Sequence, residues 1–214
     1  MRRPRVLLAD DHEILVDGLR SVLEPQYEVV GTALDGRELL EAAAKLLPDI
    51  IVLDIGMPQL NGLDAARQLK RTMPKVKLVF LTVNKDPYIV GAAFRAGASA
   101  FLLKQSAALE LTDAIQQVVK GGSYVTPRVA EGLTNVSFRS PEDRENAPQP
   151  TPRQREVIQL LAEGRSMKAV ADALHITPRT VAEHKYKVME LLQLKSNSDL
   201  VQYAIKHGII SLQS

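Results

Sequence analysis

The sequence lacks cysteine, long apolar runs and any strong excess of charge, and each absence excludes a class of protein. Without cysteine among its 214 residues, the chain has no disulfide framework, no thiolate metal site and no thiol nucleophile. No uninterrupted apolar stretch approaches the roughly 18 residues that a membrane span needs. Acidic residues follow the N-terminus too soon for a signal peptide. We therefore expect a soluble, cytoplasmic protein with no membrane partner.

Charge is balanced over the whole chain but not along it. Lysine and arginine total 27, against 25 acidic residues. Residues 1 to 122 carry 15 of each sign, whereas residues 151 to 214 carry nine basic and six acidic side chains. With 45% hydrophobic residues, this composition is typical of globular domains. The basic C-terminal part is compatible with nucleic-acid binding, although an ordinary solvated surface reaches the same charge.

Short apolar runs of strand type alternate with helix-period stretches over residues 1 to 122. The five runs are "RVLLAD", "YEVVGT", "DIIVLD", "VKLVFLT" and "SAFLLK". Helices are predicted over residues 12 to 24, 36 to 46, 62 to 72, 87 to 96 and 107 to 120. Five such βα units predict a parallel sheet that is covered by helices on both faces. In this architecture, ligands bind beyond the carboxyl ends of the strands.

The pattern changes after residue 122. Residues 123 to 150 include "SFRSPEDRENAPQP", which combines prolines and charges with almost no large apolar residue, and we predict a flexible linker there. Residues 151 to 214 contain four helical stretches and no strand. Helix starts are marked by "TPRQ" at 151 to 154, "TP" at 177 to 178 and "SNSD" at 196 to 199. The sequence therefore predicts an α/β domain, a linker and an all-α domain.

Polar side chains follow the apolar runs at the points where the predicted strands end. The first strand ends in Asp10 and Asp11, the third in Asp54, the fourth in Thr82 and the fifth in Lys104. Because the strands are parallel, these groups are expected to converge on one edge of the sheet. Two carboxylates about 4 Å apart repel by roughly 4 kcal/mol at an effective dielectric constant near 20. A positive charge is therefore expected beside them.

The expected cluster suits phosphoryl chemistry on a carboxylate. Hard divalent cations such as Mg²⁺ prefer oxygen ligands, and such a metal would supply the missing positive charge. A lone carboxylate can attack phosphorus when cations neutralise the transferring oxygens, and Asp54 is the candidate nucleophile. Thr82 can donate a hydrogen bond to one phosphoryl oxygen, and Lys104 can pair with another.

These residues resemble a known family. The segments "ADDHEIL", "DIIVLDIGMPQLNGLDAARQLK", "VFLTVN" and "GASAFLLKQSA" are similar to the receiver domain of two-component response regulators. The segment "TPRQREVIQLLAEGRSMKAVADALHITPRTVAEHKYKVMELLQLKS" resembles a LuxR-type helix-turn-helix. Together they resemble the NarL/FixJ subfamily. The resemblance implies a flavodoxin-like (βα)5 receiver at residues 1 to 122 and a four-helix DNA-binding domain at residues 151 to 214.

The resemblance also implies a phosphorylation site and its metal. A histidine kinase would phosphorylate Asp54, and the receiver would catalyse only its own phosphoryl transfer and dephosphorylation. Asp11 would bind Mg²⁺ or Mn²⁺ directly, Asp10 would bind it through water, and Asp54 and the backbone carbonyl of Gly56 would complete the protein ligands.

The resemblance further implies a switch made of Thr82 and Phe101. The hydroxyl group would move toward the phosphoryl group, and the aromatic ring would turn inward behind it. Phe101 is also explained by simple core packing.

In the C-terminal part, two amphipathic stretches between residues 166 and 192 predict a helix-turn-helix whose second helix enters the major groove. The candidate DNA contacts are Arg179, Thr180, Ala182, Glu183, Lys185, Tyr186 and Lys187. We expect the basic residues among them to contact phosphates and Glu183 to accept a hydrogen bond from a cytosine amino group.

The last helix carries an apolar stripe formed by Leu200, Val201, Ala204 and Ile205. In the family this helix supports dimerisation, so the phosphorylated protein is expected to form a homodimer on a pseudo-palindromic site in double-stranded DNA. Packing within a single domain explains the same stripe equally well.

Three alternative functions fit part of this pattern. A phosphohydrolase of the haloacid dehalogenase type needs a second acid two residues after the nucleophile, where this chain has Gly56. A flavodoxin needs a phosphate-cradling loop after the first strand, where "DDHE" would repel a phosphate. A regulator that acts through protein contacts without phosphorylation stays open as an alternative.

Overall fold

The computed structural model describes residues 2–134 and 149–210, which fall into two compact units with a boundary between residues 136 and 137. None of the described helices is both long enough and apolar enough to cross a membrane.

The first unit is built around one six-stranded parallel sheet. Its strands are β1 (Arg5–Ala9), β2 (Glu28–Ala33), β3 (Ile50–Asp54), β4 (Lys77–Thr82), β5 (Ala98–Leu103) and β6 (Tyr124–Val125). Its helices are α1 (Glu13–Leu23), α2 (Gly36–Leu46), α3 (Gly62–Thr72), α4 (Pro87–Arg95), α5 (Ala107–Val119) and α6 (Pro127–Thr134). The strand order is β2-β1-β3-β4-β5-β6, which confirms the predicted receiver architecture and adds one strand to it.

The central strands are apolar on both faces because each face packs on helices. Along β3, Ile51 and Leu53 contribute to one hydrophobic cluster, whereas Ile50 and Val52 contribute to the other. Successive side chains of a strand point to opposite sides, so both clusters are continuous across the sheet. Helices α2, α3 and α4 cover one face, and α1 and α5 cover the other. The polar strand ends therefore meet at one edge that neither helical layer covers.

A glycine allows α3 to begin directly beside the end of β3. A Cβ atom on Gly62 would lie 2.0 Å from the backbone carbonyl oxygen of Asp54, so no other residue fits without displacing the backbone. The Gly62 amide donates to the carbonyl oxygen of Ile55 at 2.9 Å. Asn61 caps the helix by accepting from the Asp64 amide. This close approach fixes the loop that follows Asp54.

The first unit continues into the predicted linker. Val125 is in register with Phe101 on β5, the Thr126 amide donates to the Phe101 carbonyl oxygen at 3.0 Å, and Val129 on α6 is buried in the hydrophobic core. This corrects the predicted domain boundary at residue 122. A strand of two residues is too short to show an alternating pattern, which is why the sequence did not predict it. Most of the remaining predicted linker, residues 135 to 148, lies outside the described residues.

The second unit is helical, as the sequence predicted. Its helices are α7 (Pro152–Ala162), α8 (Met167–Leu174), α9 (Pro178–Leu191) and α10 (Asn197–Lys206). Thr151 and Ser196 form capping boxes at the starts of α7 and α10, and Thr177 caps α9 by accepting from the Thr180 amide. The turn between α8 and α9 contains His175 in the left-handed conformation, with a φ of 53°. Two hydrophobic clusters join the four helices.

Candidate functional site

The sheet topology brings the predicted acids and the predicted lysine into direct contact. The Lys104 Nζ lies 2.7 Å from Asp10 Oδ2 and donates a hydrogen bond to Asp54 Oδ2 at 2.9 Å. Asp10 and Asp54 are both buried, and the Lys104 side chain is only 12% exposed. One ammonium group therefore bridges two buried carboxylates that belong to the ends of different strands.

The charges in this pocket do not cancel. Burial raises the pKa of Asp54, the negative charge of Asp10 adds to the rise, and Lys104 opposes it. Burial alone would lower the pKa of Lys104, but the attraction of Asp54 and Asp10 outweighs burial and raises it. The two shifts differ in their main cause, which is burial for Asp54 and the two neighbouring carboxylates for Lys104. A further cation would therefore stabilise the ionised pocket.

Two carboxylate oxygens of the pocket point to where that cation could bind. Asp10 Oδ2 and Asp11 Oδ1 are buried and accept no hydrogen bond of proper geometry, although a cationic or imidazole nitrogen lies within ion-pair distance of each. Asp10, Asp11 and His12 offer ligand atoms that all lie within 4.8 Å of one another. Oxygen ligands of this kind fit Mg²⁺ or Mn²⁺.

His12 is also part of this cluster, although no role was predicted for it from the sequence. Its backbone amide and its Nδ1 each lie 3.0 Å from Asp10 Oδ1, so the imidazole and the amide orient that carboxylate. His12 Nδ1 also lies 2.9 Å from Asp11 Oδ1. Its position directly after two aspartates was the available signal.

The carboxylate of Asp54 is held in a fixed orientation. Its Oδ1 accepts a hydrogen bond from the Ile55 amide at 2.6 Å, and its Oδ2 faces Lys104. A hydrogen bond from the Gly56 amide works against the rise in the Asp54 pKa. The backbone of the loop after β3 is therefore folded around this side chain, which brings Gly56 close to the carboxylate.

The two predicted switch residues lie on neighbouring strands. Thr82 ends β4 opposite Leu103 of β5, is buried, and accepts a hydrogen bond from the Asn84 amide through its Oγ1 at 3.2 Å. Phe101 lies on β5 with its side chain fully buried in the core. The structure thus has the aromatic ring in an inward position, packed among the residues beneath α4.

Helix α9 presents a different kind of surface. Arg179, Glu183, Tyr186 and Lys187 are exposed, and Thr180 and Ala182 are half-buried. The Arg179 Nε lies 3.5 Å from Glu183 Oε1, with the arginine side chain 90% exposed, so solvent screens this pair strongly. These six side chains are available to a ligand that binds along the helix.

Lys185 is the exception on this helix. It is only 8% exposed and lies on the inner face with Val181 and Val188, at helical spacings of four and three residues. Its Nζ lies 5.5 Å from the centre of the Tyr186 ring. The predicted phosphate contact of Lys185 is therefore corrected, because its aliphatic stem packs inside the domain rather than on the exposed face.

The apolar stripe of α10 divides in the same way. Leu200 and Ala204 are buried in a cluster with Ile158, Val188 and Ile209 of the same domain. The core of the unit covers both side chains, and their predicted role in dimerisation stays a prediction. Val201 and Ile205 are half-buried and leave part of their surface exposed.

The two units match two separate protein families. Residues 6–116 match the family described as "Response regulator receiver domain", in agreement with the acidic pocket at the strand ends. Residues 150–204 match the family described as "Bacterial regulatory proteins, luxR family". The chain belongs to the two-component response regulators of the NarL/FixJ type, with a receiver domain followed by a LuxR-type DNA-binding domain, which implies transcription regulation.

Two known relatives are similar to this chain over nearly their whole length. The chain is 34% identical to the transcriptional regulatory protein MctR of Rhizobium johnstonii, over 97% of this chain and 95% of the relative. It is 33% identical to the response regulator protein VraR of Staphylococcus aureus, over 96% of this chain and 98% of the relative.

Solved structures of RcsB response regulators are also similar. One from Salmonella typhimurium, concerned with conformational dynamism for DNA interaction, covers 97% of this chain and 99% of that chain with a TM-score of 0.66 and 27% identity. A structure of an RcsB–DNA complex covers 96% of this chain and 99% of that chain, with a TM-score of 0.62 and 26% identity.

Proposed function

We propose that phosphorylation of Asp54 by a histidine kinase, dependent on Mg²⁺ or Mn²⁺, controls dimerisation and sequence-specific DNA binding by this protein in the cytoplasm. The observation that carries the proposal is the buried contact of Lys104 with both Asp10 and Asp54. An acceptor carboxylate, a cation for the transferring oxygens and spare carboxylate oxygens for a metal are thereby collected at one edge of the sheet.

The pocket residues have separate roles in the transfer. A carboxylate oxygen of Asp54 forms a bond to the phosphorus of the donor, while the bond between phosphorus and the donor histidine nitrogen breaks and the imidazole leaves. Lys104 exchanges its contact with Asp54 for one with a phosphoryl oxygen, and the Thr82 hydroxyl donates to another. The same pocket also governs hydrolysis of the phosphoryl group on Asp54. The receiver therefore catalyses both the gain and the loss of its own phosphoryl group, and no other reaction is proposed for it.

The metal would be held by the acidic side chains of the pocket and one backbone group. Asp11 and Asp54 would supply carboxylate oxygens directly, Asp10 would bind through water, and Gly56 would supply a backbone carbonyl. A bound Mg²⁺ or Mn²⁺ would neutralise charge on the transferring oxygens. The buried oxygens of Asp10 and Asp11 that accept no hydrogen bond support this assignment.

Phosphorylation adds charge and hydrogen-bond acceptors at the strand ends, where Thr82 lies. It replaces one negative charge by about two and adds three acceptor oxygens. The Thr82 hydroxyl, which now accepts from the Asn84 amide, gains a stronger partner in the phosphoryl group. A shift of Thr82 alters the loop that leads into α4, and Phe101 repacks behind it.

The exposed face of α9 carries the DNA contacts. Arg179 and Lys187 neutralise phosphates, while Glu183 and Tyr186 reach base edges, with Thr180 and Ala182 at the margin of the face. Val201 and Ile205 on α10 provide the exposed part of a dimer contact. Two recognition helices then meet a pseudo-palindromic site.

The proposal is tested by intact-mass measurement after incubation with acetyl phosphate and Mg²⁺. The wild-type protein should gain the mass of one phosphoryl group, and Asp54→Asn, which preserves the size of the side chain, should not. Addition of EDTA should abolish the gain. A protein that gains no mass under conditions that label other receivers would instead be a regulator that acts without phosphorylation.

A further inference from the structure

The segment after α5 is attached to the sheet by more than backbone pairing. The Thr126 Oγ1 accepts a hydrogen bond from the Leu103 amide at 3.3 Å and donates to Glu110 Oε2 at 2.7 Å. The Tyr124 hydroxyl donates to the same oxygen of Glu110 at 3.0 Å. Thr126 is 2% exposed. A buried hydroxyl thus ties β6 to both β5 and α5.

These bonds converge on the part of β5 that belongs to the phosphorylation pocket. The Thr126 amide donates to the carbonyl oxygen of Phe101, and its hydroxyl accepts from the amide of Leu103. Phe101 is the proposed aromatic switch residue, and Leu103 directly precedes Lys104. Thr126 therefore contacts the backbone on both sides of Leu102, between the switch residue and the lysine of the pocket.

The same segment also packs against α4, the helix that follows the second residue of the proposed switch, Thr82. Helix α6 packs against α4, and Val129 is buried in the hydrophobic cluster that includes Phe101 and Val90. Helix α4 follows the loop that begins after Thr82. Along the chain, α6 leads toward the second unit. The segment thus contacts the strand of Phe101 and the helix that follows Thr82, and along the chain it leads toward the DNA-binding domain.

The hydrogen bonds to Glu110 hold β6 more strongly than backbone pairing with β5 alone would. A hydrogen bond to a carboxylate is about twice as strong as one between neutral groups. Burial, together with the hydrogen bond and charge of Glu110, raises the pKa of Tyr124 to about 12. The carboxylate therefore holds the protons of two hydroxyl groups from the segment. The backbone pairing of Val125 and Thr126 with β5 would be enough to cover the edge of the sheet without Glu110.

We propose that Thr126 is a positioning residue that couples the state of the Asp54 pocket to DNA binding, by fastening residues 124–134 to the Phe101 and Leu103 backbone and to Glu110. The proposal rests on the proposed function, because it concerns how a phosphoryl signal leaves the pocket. Because Thr126 bonds to the backbone of β5, movement of Phe101 or of the end of β5 then also moves α6.

The test compares DNA affinity of the full chain with and without beryllofluoride, a phosphoryl mimic, on a labelled duplex selected from a random library by the beryllofluoride-loaded wild-type protein. Coupling between sites is typically 5- to 150-fold, so the wild-type affinity should rise by about that factor. Thr126→Val keeps the size of the side chain and removes its hydroxyl, and its rise should fall below about twofold. Thr126→Ser restores the hydroxyl and should restore the wild-type rise.

A thermal-shift measurement with beryllofluoride and Mg²⁺ accompanies each affinity. Thr126→Val should still be stabilised by the mimic, because its pocket side chains are unchanged. Three results would each overturn the proposal. The rise in DNA affinity of Thr126→Val could equal that of the wild-type protein, Thr126→Ser could fail to restore the rise, or Thr126→Val could lose binding of the mimic. If the wild-type protein itself shows no rise, the proposed function fails with it.

A second pair of variants covers the case in which Thr126→Val does not fold. Glu110→Gln keeps an oxygen that can accept from both hydroxyl groups, whereas Glu110→Ala removes it. Glu110→Ala should lose most of the beryllofluoride-dependent rise in DNA affinity, and Glu110→Gln should keep most of it. Equal rises in these two variants would overturn the proposed link through Glu110.

Discussion

The acidic pocket and the exposed face of α9 both depend on charged side chains, but they place them in opposite environments. The Lys104 side chain is 12% exposed and lies against two buried carboxylates, whereas the Arg179 side chain on α9 is 90% exposed. In the pocket, the energy of each charge depends on its neighbours, because little solvent screens them. On α9 each charge is largely independent until a ligand arrives.

This difference determines whether a change of charge alters the stability of a unit or only its binding. A change in the pocket should alter the stability of the first unit as well as its chemistry, since removing one partner leaves an uncompensated buried charge. A change on the exposed face of α9 should alter DNA binding and leave stability nearly unchanged.

The largest effect is expected from removing the cation of the pocket. Lys104→Met leaves Asp10 and Asp54 buried without their shared partner, and should destabilise the protein by about 3 to 5 kcal/mol in EDTA. The matched change on α9, Lys187→Met, should cost less than about 0.5 kcal/mol. Urea unfolding of both variants measures this, and Mg²⁺ should recover part of the loss in Lys104→Met. Equal losses of unfolding free energy in the two variants would show that the pocket and the α9 face do not differ in this respect.

Replacing the acceptor carboxylate, Asp54, should stabilise the protein, in contrast to the loss expected for Lys104→Met. Because burial raises the pKa of Asp54, its ionised form is disfavoured in the fold. The contribution of Asp54 to stability is present below its unfolded pKa and is lost as the pH rises through its higher folded pKa. At neutral pH in EDTA, Asp54→Asn should therefore stabilise by about 1 kcal/mol, or raise the melting temperature by roughly 4 °C.

The control for Asp54→Asn is pH. Near pH 3 the aspartate is protonated in both states, so the variant and the wild-type protein should melt at nearly the same temperature. A melting temperature at neutral pH that is unchanged or lower would show that the acids do not crowd one another.

A smaller effect is expected on the salt dependence of DNA binding. Each phosphate that a lysine neutralises contributes a slope of about −0.9 in a plot of log affinity against log salt. Lys187→Gln should make the slope shallower by about that amount, because Lys187 is exposed on the DNA-binding face. Lys185→Met should leave the slope unchanged, since Lys185 packs inside the domain. A loss of slope in the Lys185 variant would restore it as a phosphate contact.

The smallest effect concerns the ionisation of Tyr124. Its pKa is raised to about 12 by burial and by Glu110, so Tyr124 should ionise after ordinary tyrosines in an absorbance titration. The difference between the wild-type protein and Tyr124→Phe isolates its signal. Glu110→Gln removes the negative charge and should lower the pKa of Tyr124. An unshifted titration in that variant would mean that burial alone accounts for the rise.

The pocket was accessible to sequence reasoning because topology determines it. Parallel strands end at a common edge, so the residues that follow them meet even when they lie 94 positions apart, as Asp10 and Lys104 do. The predicted five βα units and four C-terminal helices are confirmed. Strand β6 was missed, because two residues show no periodicity and the buried hydroxyl of Thr126 has no sequence signature.

The helical unit was less predictable because helix faces are set by packing. Lys185 and Lys187 are both basic and two residues apart, yet one lies inside the domain and the other outside it. The stripe on α10 likewise did not reveal that Leu200 and Ala204 pack on Ile158 of α7. Such distinctions require the positions of neighbouring helices, which a periodic pattern alone does not contain.

The most direct test of the account is footprinting across the genome of the source organism with the wild-type protein and Asp54→Ala under the same phosphorylating conditions. It tests whether the chemistry of the buried pocket governs what the exposed helix binds. The account predicts protected sites with pseudo-palindromic sequences in the wild-type protein that weaken or vanish in Asp54→Ala. Identical footprints at the same protein concentration would contradict it.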